Sequence, residues 1–200
     1  MRILAVHGYE VYREGQLGEL AQAVCEKILK IQGQYSRIIL LGGWHLQEAG
    51  PRPTIGEAMS RYLQKHGMSP MKPFLFTQFS AACDKYMPPR DSMEEIDLLP
   101  TILDKVDINP RRTPFDAICI SYFAPRLRLI YHNRGARLER IIKVTPPKLH
   151  LRRMIEQIPA YILTRLDPEG KGSIIEKNRD ARTLAIAGFK EKNLPSAWLT

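Results

Sequence analysis

A glycine pair in this sequence lies where a backbone often meets a ligand. Gly42 and Gly43 directly follow the apolar run Arg37–Leu41. Glycines at such a point let the chain turn sharply and bring its amides close to a bound group, with no side chain in between. The alternative is a plain tight turn between a core strand and a surface helix. The pair gains functional meaning only if other polar segments converge on it.

Other polar residues either follow predicted strands or begin predicted helices. Helix starts direct free amides and the positive end of the helix dipole outward, which favours a phosphate or carboxylate, and an arginine can bind such a group through two nitrogens. The candidate ligand-binding residues are His7, Gly8, Gly42, Gly43, Glu57, Ser92, Glu94, Ser121 and Arg126. Helix capping alone also explains Glu57, a local hydrogen bond also explains His7, and a salt bridge also explains Arg126.

Several well-known site motifs are absent from the sequence. No Gly-x-Gly-x-x-Gly follows the first predicted strand, and there is no Walker-type phosphate loop. The Gly-x-Ser-x-Gly elbow of many hydrolases is also missing. No His/Cys/Asp cluster has the spacing of metal ligands, so no metal site is predicted. The residues alone therefore predict a small-molecule crevice, but they identify no catalytic residue and no reaction.

The elements that must position these residues follow from the hydrophobic pattern. Short apolar runs predict five strands, at residues 2–6, 37–41, 73–77, 115–120 and 138–144. Amphipathic segments predict the intervening helices: Leu17 to Gly33, Thr54 to Gly67, Asp91 onward with a kink or early break at Pro100, and Pro125 to Gly135. Alternating strands and helices predict an α/β fold with a mostly parallel sheet. The carboxyl ends of its strands should bring the candidate residues to one edge.

The last quarter of the chain is predicted to be a helical extension. Residues 149–166 show helical periodicity with a bend expected at Pro159, and a weaker helix is predicted from Ser173 to Gly188. The expected organisation is therefore a main domain at 1–148, with residues 149–200 packed on it.

Charge is distributed unevenly along the chain. The net charge is +9, and residues 111–153 hold eleven Lys and Arg against two acids. Such a stretch can contact nucleic acid, an acidic membrane surface or an anionic small ligand. It can equally be the solvated face of two helices, since it lacks the regularly placed aromatic residues that stack on bases.

The sequence also predicts where the protein works. No apolar run approaches the roughly 20 residues that a membrane span requires, and the first residues lack the features of a signal peptide. We therefore expect a cytoplasmic protein. Cys25, Cys83 and Cys119 are odd in number and widely spaced, so we expect reduced thiols.

The order of several short motifs resembles the bacterial YdcF-like family, which includes the SanA and ElyC envelope proteins. Leu41-Gly42-Gly43 stands where the family has a strand that ends in Gly-Gly, and Gly56-Glu57-Ala58 where it has a Ser-Glu-Ala helix start. Residues 92–95 (Ser-Met-Glu-Glu) stand in place of Thr-x-Glu-Asn, and residues 121–126 in place of a segment with His-x-x-Arg. Gly56, Glu95 and Phe123 depart from the family's Ser, Asn and His.

This resemblance, which covers most of residues 2–145, implies a Rossmann-like three-layer sandwich with a five-stranded sheet. It implies that Gly42, Gly43, Glu57, Ser92, Glu94 and Arg126 bind a nucleotide-like or phosphorylated small molecule, with S-adenosylmethionine as one suggested ligand. Any enzyme activity would be that of a transferase or a hydrolase. The missing histidine at position 123 leaves an acid–base role of that segment open. A non-enzymatic protein that binds nucleic acid through residues 111–153, or a relative that has lost its chemistry, is the alternative.

Overall fold

The computed structural model describes residues 2–8, 16–42, 55–68, 74–76, 92–104, 108–109 and 112–177. Its strands are β1 (Ile3–His7), β2 (Arg37–Leu41), β3 (Phe74–Phe76), β4 (Phe115–Ile120) and β5 (Leu138–Val144). Its α-helices are α1 (Glu19–Ile31), α2 (Ile55–Lys65), α3 (Ser92–Asp97), α4 (Leu99–Asp104), α5 (Ala124–Asn133) and α6 (Leu151–Leu166).

The strands form one sheet in the order β3-β2-β1-β4-β5, and every described pair is parallel. Four strands of five to seven residues make up most of this sheet. β3 adds three residues along β2, so it is a minor edge of the five-stranded sheet that was expected. The prediction of an α/β fold with a parallel sheet is confirmed, and the strand order agrees with a Rossmann-like arrangement.

The helices lie in two groups. α1 packs against α2, and α5 packs against α3 and β5. The crossover connections from β1 to β2 and from β2 to β3 place each new strand nearer one edge of the sheet. The connection from β4 to β5 places β5 at the other edge. Because such crossovers are right-handed, the two groups lie on opposite faces of the sheet. Each residue of the central strands β1 and β4 is buried as a result.

Proline chemistry explains one helix boundary. The helix predicted to begin at Asp91 divides at Leu98 into α3 and α4, immediately before Pro100. The proline ring removes a backbone donor and crowds the carbonyl of the preceding turn, which disfavours an uninterrupted helix there. The predicted early break is therefore confirmed.

An ion cluster joins the strands near their amino-terminal ends. Asp116 on β4 is fully buried, and its Oδ2 accepts hydrogen bonds from the Tyr35 hydroxyl at 2.7 Å and from Arg140 Nε at 2.8 Å. Arg2 Nη2 lies 3.2 Å from the same oxygen. The cluster therefore links β1, β4 and β5 with the segment before β2, at the end of the strands away from the expected crevice.

The apolar side of α6 faces solvent, which differs from the prediction. We expected its apolar residues to pack on the domain, but Leu151, Ile155, Ile158, Ile162 and Leu166 are all exposed. Thr164 is the buried residue of α6, and the helix packs against α5. Residues 173–177 are helical, and the rest of the predicted extension lies outside the described residues.

Candidate functional site

The strand order diverges between β1 and β4: β2 and β3 follow on one side of this pair, and β5 follows on the other. The chain leaves the carboxyl end of β1 toward β2 on one side, and leaves β4 toward β5 on the other. In open α/β sheets this divergence leaves a crevice outside the strand ends, and ligands bind there. His7 and Gly8 end β1 at this point, and Ser121 directly follows β4. The structure thus brings these three predicted residues to one edge.

His7 is the most constrained of the candidate residues. Its side chain is 3% exposed, with Nδ1 3.3 Å from Glu95 Oε2 and Nε2 2.7 Å from the Tyr131 hydroxyl. A carboxylate only accepts hydrogen bonds, so Nδ1 carries the proton shared with Glu95. Burial raises the pKa of Tyr131 well above its ordinary value, so its hydroxyl keeps its proton, and in the His7 tautomer with its proton on Nδ1 it donates to Nε2. One tautomer of His7 satisfies both contacts.

This network joins three elements rather than presenting a reactive group to solvent. His7 belongs to β1, Glu95 to α3 and Tyr131 to α5. Tyr131 is fully buried and also packs edge-on against Phe115, with ring centroids 5.3 Å apart. Both nitrogens of His7 are occupied by buried or nearly buried partners, so His7 cannot reach a bound substrate in this arrangement. It contacts Glu95 and so holds α3 against the carboxyl end of β1.

The first turn of α3 carries two acidic residues, Glu94 and Glu95, and Glu95 contacts His7 at the end of β1. Ser92 is partly exposed, Glu94 is 9% exposed, and the Glu95 side chain is 12% exposed. Two carboxylates at a helix start are stabilised by the helix dipole. Their low exposure suits recognition of a ligand's hydroxyl or amino hydrogens. It suits binding of a phosphate less well, because like charges repel.

The space beside Gly8 and Gly42, at the strand ends, is filled by other residues of the protein. A Cβ atom on Gly8 would lie 2.5 Å from Ile55 Cγ2 and 2.7 Å from the Leu41 carbonyl oxygen. A Cβ atom on Gly42 would lie 2.9 Å from Ile55 Cβ. The Gly56 amide donates to the Gly42 carbonyl at 3.4 Å. These glycines therefore let the first turn of α2 pack directly on the ends of β1 and β2. Gly43 lies outside the described residues.

The remaining predicted residues are spread over different contacts. Glu57 is partly buried in the first turn of α2, on the β2 side of the edge. Arg126 Nε donates to Thr164 Oγ1 at 3.2 Å, so this nitrogen is directed at α6. Ser121 begins a 3-10 turn that leads directly into α5. His7 and Ser121 lie at the carboxyl ends of the neighbouring strands β1 and β4, Glu94 lies on α3, and Arg126 contributes to the contact between α5 and α6.

Three residues important at this edge were not among the predicted set: Glu95, Tyr131 and Tyr122. Glu95 and Tyr131 meet His7 across 88 and 124 positions of sequence, so no local pattern reveals them. Tyr122 follows β4 by two residues. Its buried hydroxyl has no hydrogen-bond partner within the described part of the chain, and burial raises its pKa to about 12. An unpaired buried donor is costly, so a ligand or a water molecule is its expected partner.

Much of the basic stretch is used inside the fold. Arg134 forms a two-pronged contact with Asp97 at 2.7 and 3.2 Å, and also donates to the carbonyls of Pro168 and Glu169. Arg140 binds Asp116, Lys148 binds Glu19 and Arg152 binds Glu156. The contacts of Arg134, Arg140 and Lys148 join different elements, whereas Arg152 and Glu156 both lie on α6. These contacts leave fewer cations for an external polyanion than the sequence alone indicates.

Within the described ranges, no group of three or more His, Cys, Asp or Glu side chains is placed to hold a metal ion. None of the helices in those ranges has the length and apolar character needed to cross a membrane. Comparisons with protein families, with curated proteins and with solved structures find no match for this chain.

Proposed function

We propose that this protein binds a nucleotide-like or phosphorylated small molecule in the crevice between the carboxyl ends of β1 and β4. The observation that carries the proposal is the reversal of strand order at this point, with His7 anchoring the acidic start of α3 against it. Sites of this kind in parallel sheets are built from strand ends and the helix starts that face them.

The polar groups at the crevice suit two parts of such a ligand. Glu94 and Glu95 suit ribose or sugar hydroxyls, and also the cationic groups of S-adenosylmethionine. A phosphate or carboxylate would fit the segment at Ser121, whose side-chain hydroxyl can donate a hydrogen bond at the end of β4. Tyr122 adds a buried hydroxyl that lacks a partner within the described residues.

The resemblance to the YdcF-like family supports the same location. Its carried-over residues include Glu94 and the strand-end glycines, and its suggested ligand, S-adenosylmethionine, has hydroxyl and amino groups that carboxylates bind. The glycines act here through close packing with Ile55, so the acids of α3 take the larger part in recognition. If the protein catalyses a reaction, transferase or hydrolase chemistry on such a ligand is the class we propose.

The first test is a thermal-shift screen of the full chain with S-adenosylmethionine, nucleotides, nucleotide sugars and sugar phosphates. A ligand that binds the folded state raises the melting midpoint, with about 2.7 kcal/mol of stabilisation at a hundredfold excess over Kd. Glu94→Gln keeps the shape of the side chain and removes its charge. A hydrogen bond to a charged group contributes about 1.5–3 kcal/mol, so we expect Glu94→Gln to weaken binding about 10- to 100-fold.

The matched control is Glu139→Gln, because Glu139 is exposed near the amino end of β5. It removes the same charge and should leave Kd unchanged. Equal affinities for the wild type and Glu94→Gln would contradict the assignment of the crevice. If no compound shifts the midpoint and an oligonucleotide binds with steep salt dependence, the nucleic-acid alternative replaces this proposal.

A further inference from the structure

The helix α6 turns its apolar side away from the protein. Its exposed apolar residues lie four, three, four and four positions apart and form one stripe, which we call the α6 stripe: Leu151, Ile155, Ile158, Ile162 and Leu166. Between 50% and 77% of each residue is exposed. A surface helix normally directs its apolar face to the core. This inversion leaves a continuous apolar ridge, one helix long, in contact with water.

The contacts of the opposite face fix this orientation. Thr164 is 1% exposed, and its hydroxyl accepts from Arg126 Nε at 3.2 Å and donates to the Ala160 carbonyl at 2.8 Å. α6 packs along α5 through this side. Turning the stripe inward would break these contacts and would expose Thr164 in its place. The α6 stripe is therefore a stable surface of the folded chain.

The shape of the α6 stripe suits a helix better than a lipid surface. Spacings of four, three and four residues are those of the narrow seam between paired helices. A helix that lies in a membrane interface needs a broad apolar face and a polar face rich in free cations. Here the exposed polar residues of α6 include an acid, Glu156, and the nearby cations Lys148 and Arg152 are paired with Glu19 and Glu156.

We propose that α6 pairs with α6 of a second copy of this chain, in an antiparallel arrangement about a two-fold axis near Ile158. The α6 stripe is self-complementary in that direction. Leu151 of one copy faces Leu166 of the other, and Ile155 faces Ile162. A two-fold contact requires this reciprocity, and antiparallel helices also oppose their dipoles favourably.

The area available is sufficient for such a contact. Burial of one branched apolar side chain removes roughly 50–100 Å² from water. The α6 stripes of two copies, with Met154 at their edge, would then bury on the order of 1,000 Å², which is near the lower limit for a specific interface. We therefore expect a dimer that dissociates at low concentration.

The test is sedimentation velocity of the full chain across a hundredfold range of concentration. We expect a monomer–dimer equilibrium in the micromolar range. Ile158→Asp places a charge on the axis of the proposed contact and should shift the protein to monomer, with its melting midpoint near that of the dilute wild type. Arg128→Asp adds the same side chain at an exposed position of α5 and should leave the equilibrium unchanged.

Cross-linking distinguishes the direction of pairing. In a Cys83→Ser background, Ile158→Cys should form a disulfide-linked dimer rapidly. Leu151→Cys alone should form little, but a mixture of Leu151→Cys and Leu166→Cys should cross-link. Efficient linkage of Leu151→Cys to itself would overturn the antiparallel arrangement. A protein that is monomeric at every concentration, or that binds anionic vesicles through a surface lost in Ile158→Asp, would overturn the proposal of a second copy.

Discussion

Two buried polar residues, His7 and Asp116, mark the two ends of the sheet. Each lies in a strand whose other residues are buried, and each has hydrogen-bond partners distant in sequence. Burial of a polar group costs stability unless it is hydrogen-bonded, and Asp116 meets this condition through Oδ2, while its Oδ1 has no partner within the described residues. At Asp116 the partners are two arginines and a tyrosine, which serve stability. At His7 the partners are a carboxylate beside the crevice and a buried hydroxyl, which position the candidate site.

Gly8 gives a prediction at the residue scale. Gly8→Ala should lower the free energy of unfolding by about 1–3 kcal/mol, because the new Cβ would overlap both Ile55 and the Leu41 carbonyl oxygen. Chemical denaturation measures the change. Gly33→Ala is the matched control, since a Cβ there meets nothing within 4 Å, and we expect it to be neutral or slightly stabilising. Equal stabilities for the two variants would show that Gly8 is not required for close packing.

The strands and helices show how far local pattern determines this fold. β2, β4 and β5 have the predicted bounds, because continuous apolar runs identify buried strands. β1 is shifted by one residue from the predicted 2–6 to Ile3–His7, since the burial of a histidine depends on partners that only the folded chain provides. The α6 stripe shows the same limit. Its periodicity predicts a helix correctly but does not reveal which side meets the protein.

The candidate site was predictable to a similar extent. His7 and Ser121 were predictable as neighbours, because parallel strands bring their carboxyl ends to one edge of the sheet. The packing of Ile55 over the glycines, and the contacts of Arg126 with α6, depend on side-chain placement between elements. No spacing within the sequence determines such contacts. Predicted residues at positions 43–54 and 77–91 lie outside the described part of the chain.

The junction of β1, α3 and α5 gives a prediction at the scale of elements. Tyr131→Phe keeps the ring contact with Phe115 but leaves His7 Nε2 without its donor. A buried acceptor without a partner costs about 1–3 kcal/mol, so we expect that loss in the free energy of unfolding. Hydrogen exchange of the α3 amides should also quicken, because the His7 ring that contacts Glu95 loses one of its two hydrogen bonds.

Tyr62→Phe is the control for this change. Tyr62 lies on α2, where its ring stacks on His66 at a centroid distance of 4.0 Å, and this contact survives loss of the hydroxyl. We expect little change in stability there and none at α3. If Tyr131→Phe were as stable as the wild type, with unchanged exchange at α3, the three elements would not be coupled through His7.

At the scale of the whole molecule, the buried hydroxyls and thiols predict how stability depends on pH. Burial raises the pKa of Tyr131, of Tyr122 to about 12, and of the Cys25 thiol, relative to their ordinary values. Each group is therefore harder to deprotonate when folded than when unfolded. Its contribution is complete below the pKa of the unfolded chain, roughly 8.5 for cysteine and 10 for tyrosine. It is lost as the pH rises from there toward the folded pKa.

We therefore expect the free energy of unfolding to decline above about pH 8.5 and to fall more steeply above about pH 10. Urea denaturation at a series of pH values measures this directly. Cys25→Val should remove the first part of the decline while leaving the second, because the buried tyrosines are unchanged. A stability that stayed constant to pH 11 would mean that these groups ionise as easily in the folded chain as in the unfolded one. That result would be inconsistent with a core closed around Tyr131, and hence with a His7 network sealed from solvent.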